Sequence, residues 1–212
     1  MPFNKTKIAA SFNRAAQVYA EQAVLQGTVA ERLLERLELV NISPKMIIDV
    51  GSGPGGAARQ LAKMYKGAQV LQLDLSMEML SQSRSQDSRF FSKQQYICGD
   101  AESLPLGRDT AELVFSSLML QWCNDLDAAF TQIKNTLKKQ GLFLFATLGP
   151  DTLKELRSSW AEVDDELHVN TFIDMHDVGD ALLRAGFVEP VMDVEHISLT
   201  YEDCFSLMKD LK

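Results

Sequence analysis

The sequence predicts an α/β fold, a doubly wound and mostly parallel β-sheet with helices on both faces. Three observations carry this expectation. From residue 46 onward, short apolar runs of strand length alternate with stretches of helical period. The first run, "MIIDV", opens into the glycine-rich turn "GSGPGG" and then a helix-forming segment. The runs are short and apolar, as strands covered on both faces are. Right-handed crossovers between such strands place ligands at their carboxyl ends.

Each element has its own signal. Residues 5–40 read as one helix, with Ile8, Phe12, Ala15, Tyr19 and Ala23 at spacings of three and four and Val29, Leu33 and Leu37 continuing the stripe. The break from Asn41 to Pro44 precedes the first strand, residues 46–50. "GPGGAARQLAKMY" runs from the glycine turn into a helix, and "AQVLQLDLS" is a second strand, with Ser76 placed to cap the helix "MEMLSQSR". The Ser- and Gln-rich stretch from Ser81 to Gln95 ends that helix and loops to a third strand, "QYICGD". "AELVFSSLML" is a fourth strand, Leu126 to Lys139 a helix, and "LFLFATL" a fifth strand after Gly141. Beyond residue 150 a helix opens behind Gly-Pro, with Asp151 near its start. "VDDELHVNTF" is irregular, and "DMHDVGDALLRAGF" is a helix with Asp174 as N-cap and Gly186 as stop. "FVEPVMDVEHISL" is a strand candidate that Pro190 restricts to an edge or a bulge.

The bulk properties narrow the function. At 212 residues with 46% apolar side chains, the chain can bury one sizeable core. A net charge of −8 argues against a broad nucleic-acid partner. Cys98, Cys123 and Cys204 lie far apart, which speaks against a disulfide framework and for a reducing compartment. His168, His176 and His196 lack metal-ligand spacing, so no metal is expected. "MPFNKTKIAASF" has no apolar signal region and no run is long enough to span a bilayer, so a cytoplasmic protein without a membrane partner is expected.

Gly51, Gly53 and Gly56 satisfy GxGxxG between a strand and a helix, and Asp74 ends the second strand where an acid can hold a ribose diol. An adenosine-type ligand follows. Asp49, just ahead of the glycines, would repel a pyrophosphate but suits S-adenosylmethionine, which has no phosphate and carries a sulfonium and an ammonium. The plainer role for Asp49 is a hydrogen bond to backbone in the turn. Asp100, beside Ala101, ends the third strand where it can receive an adenine amino group. A nicotinamide-dependent oxidoreductase remains the alternative reading of the glycines.

"DVGSGPG", "LDLS", "GDAESLPL" and "ELVFSSLMLQW" together resemble the class I S-adenosylmethionine-dependent methyltransferases over residues 46–148. That resemblance implies a Rossmann-like core in which Gly51 and Gly53 admit the methionine part, Asp74 and the adjoining Leu75 meet the ribose side, Asp100 and Ala101 meet the adenine, and Ser116 lies by the sulfonium. The flanks "SFNRAAQVYAEQAVLQ", "TLGPDTLKELR" and "HVNTFIDMHDVGDALLRAGF" resemble the malonyl-acyl-carrier-protein O-methyltransferase family, whose members methylate a malonyl carboxyl in biotin synthesis. On that resemblance the substrate is a malonyl thioester on acyl carrier protein or coenzyme A. The layout is a single domain, 1–212: an N-terminal helical lid (1–40), a cofactor core (46–148), and substrate-side helices with an edge strand (149–212).

The family continues past "FSLMKDLK" into a final antiparallel strand completing a seven-stranded sheet, so that strand is expected to be missing here. Tyr19 is expected in the lid, and Gln121 and Trp122 past the fourth strand where the transferring methyl points. Arg157, His168 and Asn170 are candidates for orienting the carboxylate, although Arg157 also reads as a solvated helix charge and His168 as a capping or packing residue. An ionised carboxylate needs no general base, so no catalytic acid–base pair is expected. Lys5, Lys7 and Arg14 are the candidates for docking an acidic carrier, and a monomer is expected. A related respiratory-complex assembly factor that does not methylate, or another small-molecule methyltransferase, fits part of the same pattern.

Overall fold

The computed structural model describes residues 2–87 and 93–210. Five strands, β1 (Met46–Val50), β2 (Gln69–Asp74), β3 (Gln94–Cys98), β4 (Ala111–Ser117) and β5 (Leu137–Ala146), form one sheet in the order β3-β2-β1-β4-β5. Every pairing in it is parallel. The chain starts in the middle of the sheet and winds outward both ways, so the strand order reverses between β1 and β4. A crevice opens at their carboxyl ends for that reason.

Alternation along each strand divides the core into two layers. Ile48, Val50, Leu71, Leu73 and Val114 face α6 (Leu126–Thr136) and α8 (Met175–Arg184), packing on Phe130, Ile133, Val178 and Leu182. Ile47, Val70, Leu113 and Phe115 face α3 (Val24–Leu37) and α4 (Gly56–Met64), packing on Leu33, Leu34, Leu37 and Leu61. Each fully buried Leu, Ile or Phe contributes about 1.5–3 kcal/mol, which explains why these short strands hold without amphipathic alternation. The expected caps are present. Ser76 accepts the Met79 N–H at the start of α5 (Met77–Gln86), and Asp174 accepts the His176 N–H at the start of α8. Gly186 closes α8 with φ +87°. The middle of the expected Ser81–Gln95 loop, residues 88–92, lies outside the described residues.

Three expectations are corrected. The single helix over 5–40 is instead α1 (Lys5–Ala15), the one-turn α2 (Tyr19–Gln22) and α3. The two halves of the stripe serve different partners: Ile8 and Phe12 face the crevice, whereas Leu33, Leu34 and Leu37 face the sheet. One straight rod cannot do both. The fifth strand starts at Leu137, not after Gly141, so the helix before it ends at Thr136. The polar "KKQ" is tolerated because β5 is an edge strand, where Lys138 pairs with Glu112 at 2.6 Å. Gln140 (φ +65°) and Gly141 form an irregularity there, matched by a register shift opposite Ala111 and Leu113.

The third correction concerns residues 187–199, which form no strand. Pro190 lacks an N–H and Glu189 has φ +52°, both unfavourable to a ladder. The segment is held by side chains instead: Phe187 packs on Phe143, and Asp193 and Glu195 pair with Arg36 and Arg32 of α3. α7 (Lys154–Ala161), α9 (Cys204–Asp210) and a 3-10 turn at Leu120–Trp122 complete the described elements. Among the described residues no helix is long and apolar enough to cross a membrane.

Candidate active site

The glycine loop is bent by positive φ at Gly51 (+76°), Gly53 (+52°) and Gly55 (+77°), a region that costs other L-residues about 1–2 kcal/mol. Its first N–H groups, those of Gly51 and Ser52, donate to Leu73 O at 2.7 and 3.1 Å, which ties the loop to the end of β2. A Cβ on Gly51 would stand 2.3 Å from Met119 Cγ, and one on Gly55 1.9 Å from Ser83 Oγ and 2.7 Å from Gln72 Oε1. Gly53 has nothing within 4 Å of its Cβ position and borders an open cleft. Gly56, third in the GxGxxG pattern, meets nothing. Close packing falls instead on Gly55, outside the GxGxxG pattern, and no signal in the sequence separates the two.

The acids occupy two levels. Asp74 lines the cleft, with Oδ2 accepting the Gly53 N–H and Oδ1 the Ser76 N–H, both at 2.8 Å. Burial raises its pKa, and the N–H groups of Ser76, Gly53 and Leu75 oppose that shift. Two fixed backbone donors hold the carboxylate still and leave lone pairs for a ligand. Asp100 and Ala101 also line the cleft, as does Leu75. Asp49 lies one level down. It is 1% exposed, takes the Ala58 N–H at the start of α4, and does not line the cleft. Burial, then the charge of Asp74, pushes its pKa up to about 7, and Oδ2 has no hydrogen-bond partner.

α1 roofs the cleft with Lys5, Ile8 and Phe12, and Tyr19 joins them just beyond its end. Phe12 meets Tyr19 and Trp122 edge-on, with ring centroids 6.2 and 5.5 Å apart, and Phe3 also reaches Trp122. Burial, then Asp74, pushes the Tyr19 hydroxyl up to about 12, so it stays protonated as a donor. Lys5 is not the free cation expected for docking. It points inward, 3.1 Å from Asp100 Oδ1 and 2.7 Å from Glu102 Oε1.

At the end of β4 the two serines differ. Ser116 is fully buried and donates to Val50 O at 2.9 Å, whereas Ser117 lines the cleft and its Oγ is buried without a partner. The period of two along the strand could have separated them once its inward phase was fixed. Trp122 lines the cleft; Gln121 does not, and donates to Leu118 O at 2.6 Å. Arg157, His168 and Asn170 do not line it either. Arg157 clasps the carbonyls of Pro150 and Thr152 at 3.1 and 2.6 Å, and His168 stacks on Trp160 and meets Asp164 at 2.8 Å. Asn170 is exposed. Cys123, near Lys5, is pushed up to about 12, chiefly by burial, and is no nucleophile at neutral pH. Among the described residues no cluster of His, Cys, Asp and Glu is arranged to hold a metal ion.

This wall fits S-adenosylmethionine. It offers carboxylates for a diol and an amino group, and its one cation among the described lining residues, Lys5, is already paired with acids. A pyrophosphate would find no free positive charge there.

Comparison with known proteins agrees. A family described as a methyltransferase domain matches residues 48–145. The malonyl-[acyl-carrier protein] O-methyltransferase of Gallionella capsiferriformans (strain ES-2) is 48% identical over 99% of this chain and 74% of its own length. That of Methylovorus sp. (strain MP688) is 47% identical over 99% and 72%. Among solved structures, an S-adenosylmethionine-dependent methyltransferase from Mesorhizobium loti, 26% identical, superposes with a TM-score of 0.61 over 75% of this chain and 81% of that one. With this sheet, this glycine loop and relatives so similar along almost its whole length, the chain belongs to the malonyl-[acyl-carrier protein] O-methyltransferase family of S-adenosylmethionine-dependent enzymes.

Proposed function

We propose that this chain transfers a methyl group from S-adenosylmethionine to the free carboxylate of a malonyl thioester carried on acyl carrier protein, in the cytosol and as a monomer, as a step towards biotin. The observation that carries the reading is the cleft at the switch between β1 and β4, walled by Asp74, Asp100 and the glycine loop and holding no unpaired cation among its described lining residues.

In this reading Asp74 receives the ribose hydroxyls on lone pairs left free by Gly53 and Ser76, with Leu75 beside the same end. Asp100 receives the adenine amino group beside Ala101. Gly51 and Gly53 let the methionine portion approach the backbone. The role first expected of Ser116, beside the sulfonium, passes to Ser117, whose hydroxyl is unpaired. Asp49 acts from below the loop, fixing the start of α4 and adding negative potential beneath the cation. Bound S-adenosylmethionine supplies an electrophilic methyl.

The acceptor carboxylate is ionised at neutral pH, so this chain's residues need only orient it in line and exclude water. Phe12, Tyr19 and Trp122 close over the reacting end. Arg157 keeps guanidinium donors beyond the one nitrogen bonded to backbone, and His168 and Asn170, with Gln121, complete the acceptor side of the proposal. Supplied with methyl-labelled S-adenosylmethionine, the enzyme should place label in a base-labile ester on malonyl thioesters, and the Asp74→Asn variant should not at the same donor concentration. Label on acetyl thioesters, or equal labelling by Asp74→Asn, would contradict the assignment.

A further inference from the structure

Lys5 is the first residue of α1, and its side chain crosses to the loop after β3. The bond to Asp100 falls on Oδ1, at 3.1 Å, and the Glu102 N–H donates to that same oxygen at 3.0 Å. Neither contact uses Oδ2. The ammonium also reaches Glu102 Oε1 at 2.7 Å, an oxygen that accepts the Asn124 N–H as well, so it lies between two carboxylates and is the cation the two share. The side chains of Lys5, Asp100 and Glu102 are 24%, 30% and 19% exposed, which screens the group less than an open surface pair.

Burial by itself would lower the pKa of Lys5, but hydrogen bonds to Glu102 and Asp100 outweigh it and the group stays charged. The rest of the α1 region is held by short-range contacts. Phe3 and Asn124 exchange two hydrogen bonds, Ser76 Oγ donates to Asn13, and Phe3 and Phe12 pack on Trp122. Lys5 is the link that reaches an acid of the candidate donor site itself.

We infer that Lys5 is a positioning residue for the methyl donor: it ties the N-terminal helix to Oδ1 of Asp100 while Oδ2 meets the ligand, so that seating the lid and filling the donor site are one coupled event. The inference rests on the reading of Asp100 given above. With Lys5 in place, Asp100 is neutralised, turned and fixed before the donor arrives. Without it, Asp100 and Glu102 repel, Asp100 swings away from the adenine position, and α1 keeps its hydrogen bonds, ring contacts and packing on α5 but no tie to Asp100. A donor bound against Asp100 then no longer pulls the lid down.

The test uses Lys5→Met, which keeps the apolar stem, and Lys5→Arg, which keeps the charge. Affinity for S-adenosylhomocysteine is measured by calorimetry. Lid position is read from acrylamide quenching of Trp122 in a Trp160→Phe background, where Trp122 is the remaining one of two tryptophans. In the parent, saturating S-adenosylhomocysteine should shield Trp122. Lys5→Met should bind about tenfold more weakly, a typical size for coupling between sites, and lose most of that shielding; Lys5→Arg should recover both. Parent-like affinity and shielding in Lys5→Met overturns the inference, as does a lower melting temperature with both readouts unchanged, since that is a purely structural role. Asp100→Asn separates the two ideas. If it binds like the parent, the Asp100 reading itself fails; if it binds weakly while Lys5→Met does not, only the Lys5 coupling fails.

Discussion

Replacing Gly53 and Gly55 separately by alanine distinguishes a glycine that serves the ligand from one that serves the fold. Both have positive φ, +52° and +77°, so both variants carry a backbone cost of about 1–2 kcal/mol. For Gly53 that is the whole cost to the fold, because its added Cβ meets nothing within 4 Å. In a domain of this size each kcal/mol lowers the melting temperature by about 2–4 °C, so Gly53→Ala should melt a few degrees below the parent. Its methyl group enters the cleft beside the N–H that holds Asp74, and S-adenosylhomocysteine affinity should drop by roughly tenfold or more, about 1.4 kcal/mol. Gly55→Ala adds a collision 1.9 Å from Ser83 Oγ and 2.7 Å from Gln72 Oε1, inside the buried Ser83–Gln72 hydrogen bond. Overpacking adds about 1–3 kcal/mol, and a weakened buried bond adds about as much. Its melting temperature should therefore fall by about 10 °C or more. Differential scanning calorimetry and ligand titration on the two variants decide the matter. If Gly53→Ala melts as low as Gly55→Ala, or binds S-adenosylhomocysteine like the parent, the division of labour within the loop is wrong.

Ser116→Ala should cost about 0.5–1.5 kcal/mol of stability by removing the bond to Val50 O. Ser117→Ala, which removes an unpaired buried hydroxyl, should leave the ligand-free fold unchanged or slightly more stable while weakening ligand binding. Equal melting shifts in the two serine variants would refute the alternation argument. The pH dependence concerns Asp49, whose folded pKa of about 7 lies above the unfolded value near 3.9. Its contribution to stability is full below about pH 4 and is lost as pH rises through about 7. Asp49→Asn should therefore gain on the parent between pH 5 and pH 8, by a few kcal/mol at most; parallel melting profiles across that range would contradict this.

Much of the fold was legible because its signals are local. The buried strands are short apolar runs, the glycine turn follows the first of them, and Ser76, Asp174 and Gly186 begin or end helices by chemistry confined to a few residues. What could not be read depends on partners distant in sequence. The stripe over 5–40 keeps one period while its target changes from the cleft to the sheet, so the break before α3 has no local mark. The polar start of β5 is acceptable only because that strand is an edge, and Glu112 waits on the neighbouring strand. Residues 187–199 carry strand-forming side chains, but Arg32 and Arg36 hold their acids from α3.

The site shows the same division. Asp74 and Asp100 were identifiable from their places at strand ends, and both line the cleft. Asp49 stands at the right strand end but a layer too deep to touch it, because the pleat turns its side chain under α4. Ser117 rather than Ser116 lines the cleft by a one-residue phase difference, and Lys5 turns inward towards acids almost a hundred residues away in the chain.

The central claim is methyl transfer to a malonyl carboxyl, and intact-mass spectrometry of the carrier tests it most directly. Malonyl-carrier and acetyl-carrier protein are each incubated with the enzyme and S-adenosylmethionine. The account predicts a gain of one methylene on the malonyl form and none on the acetyl form. No gain on malonyl-carrier protein from a preparation that binds S-adenosylhomocysteine, or an equal gain on both forms, would contradict it.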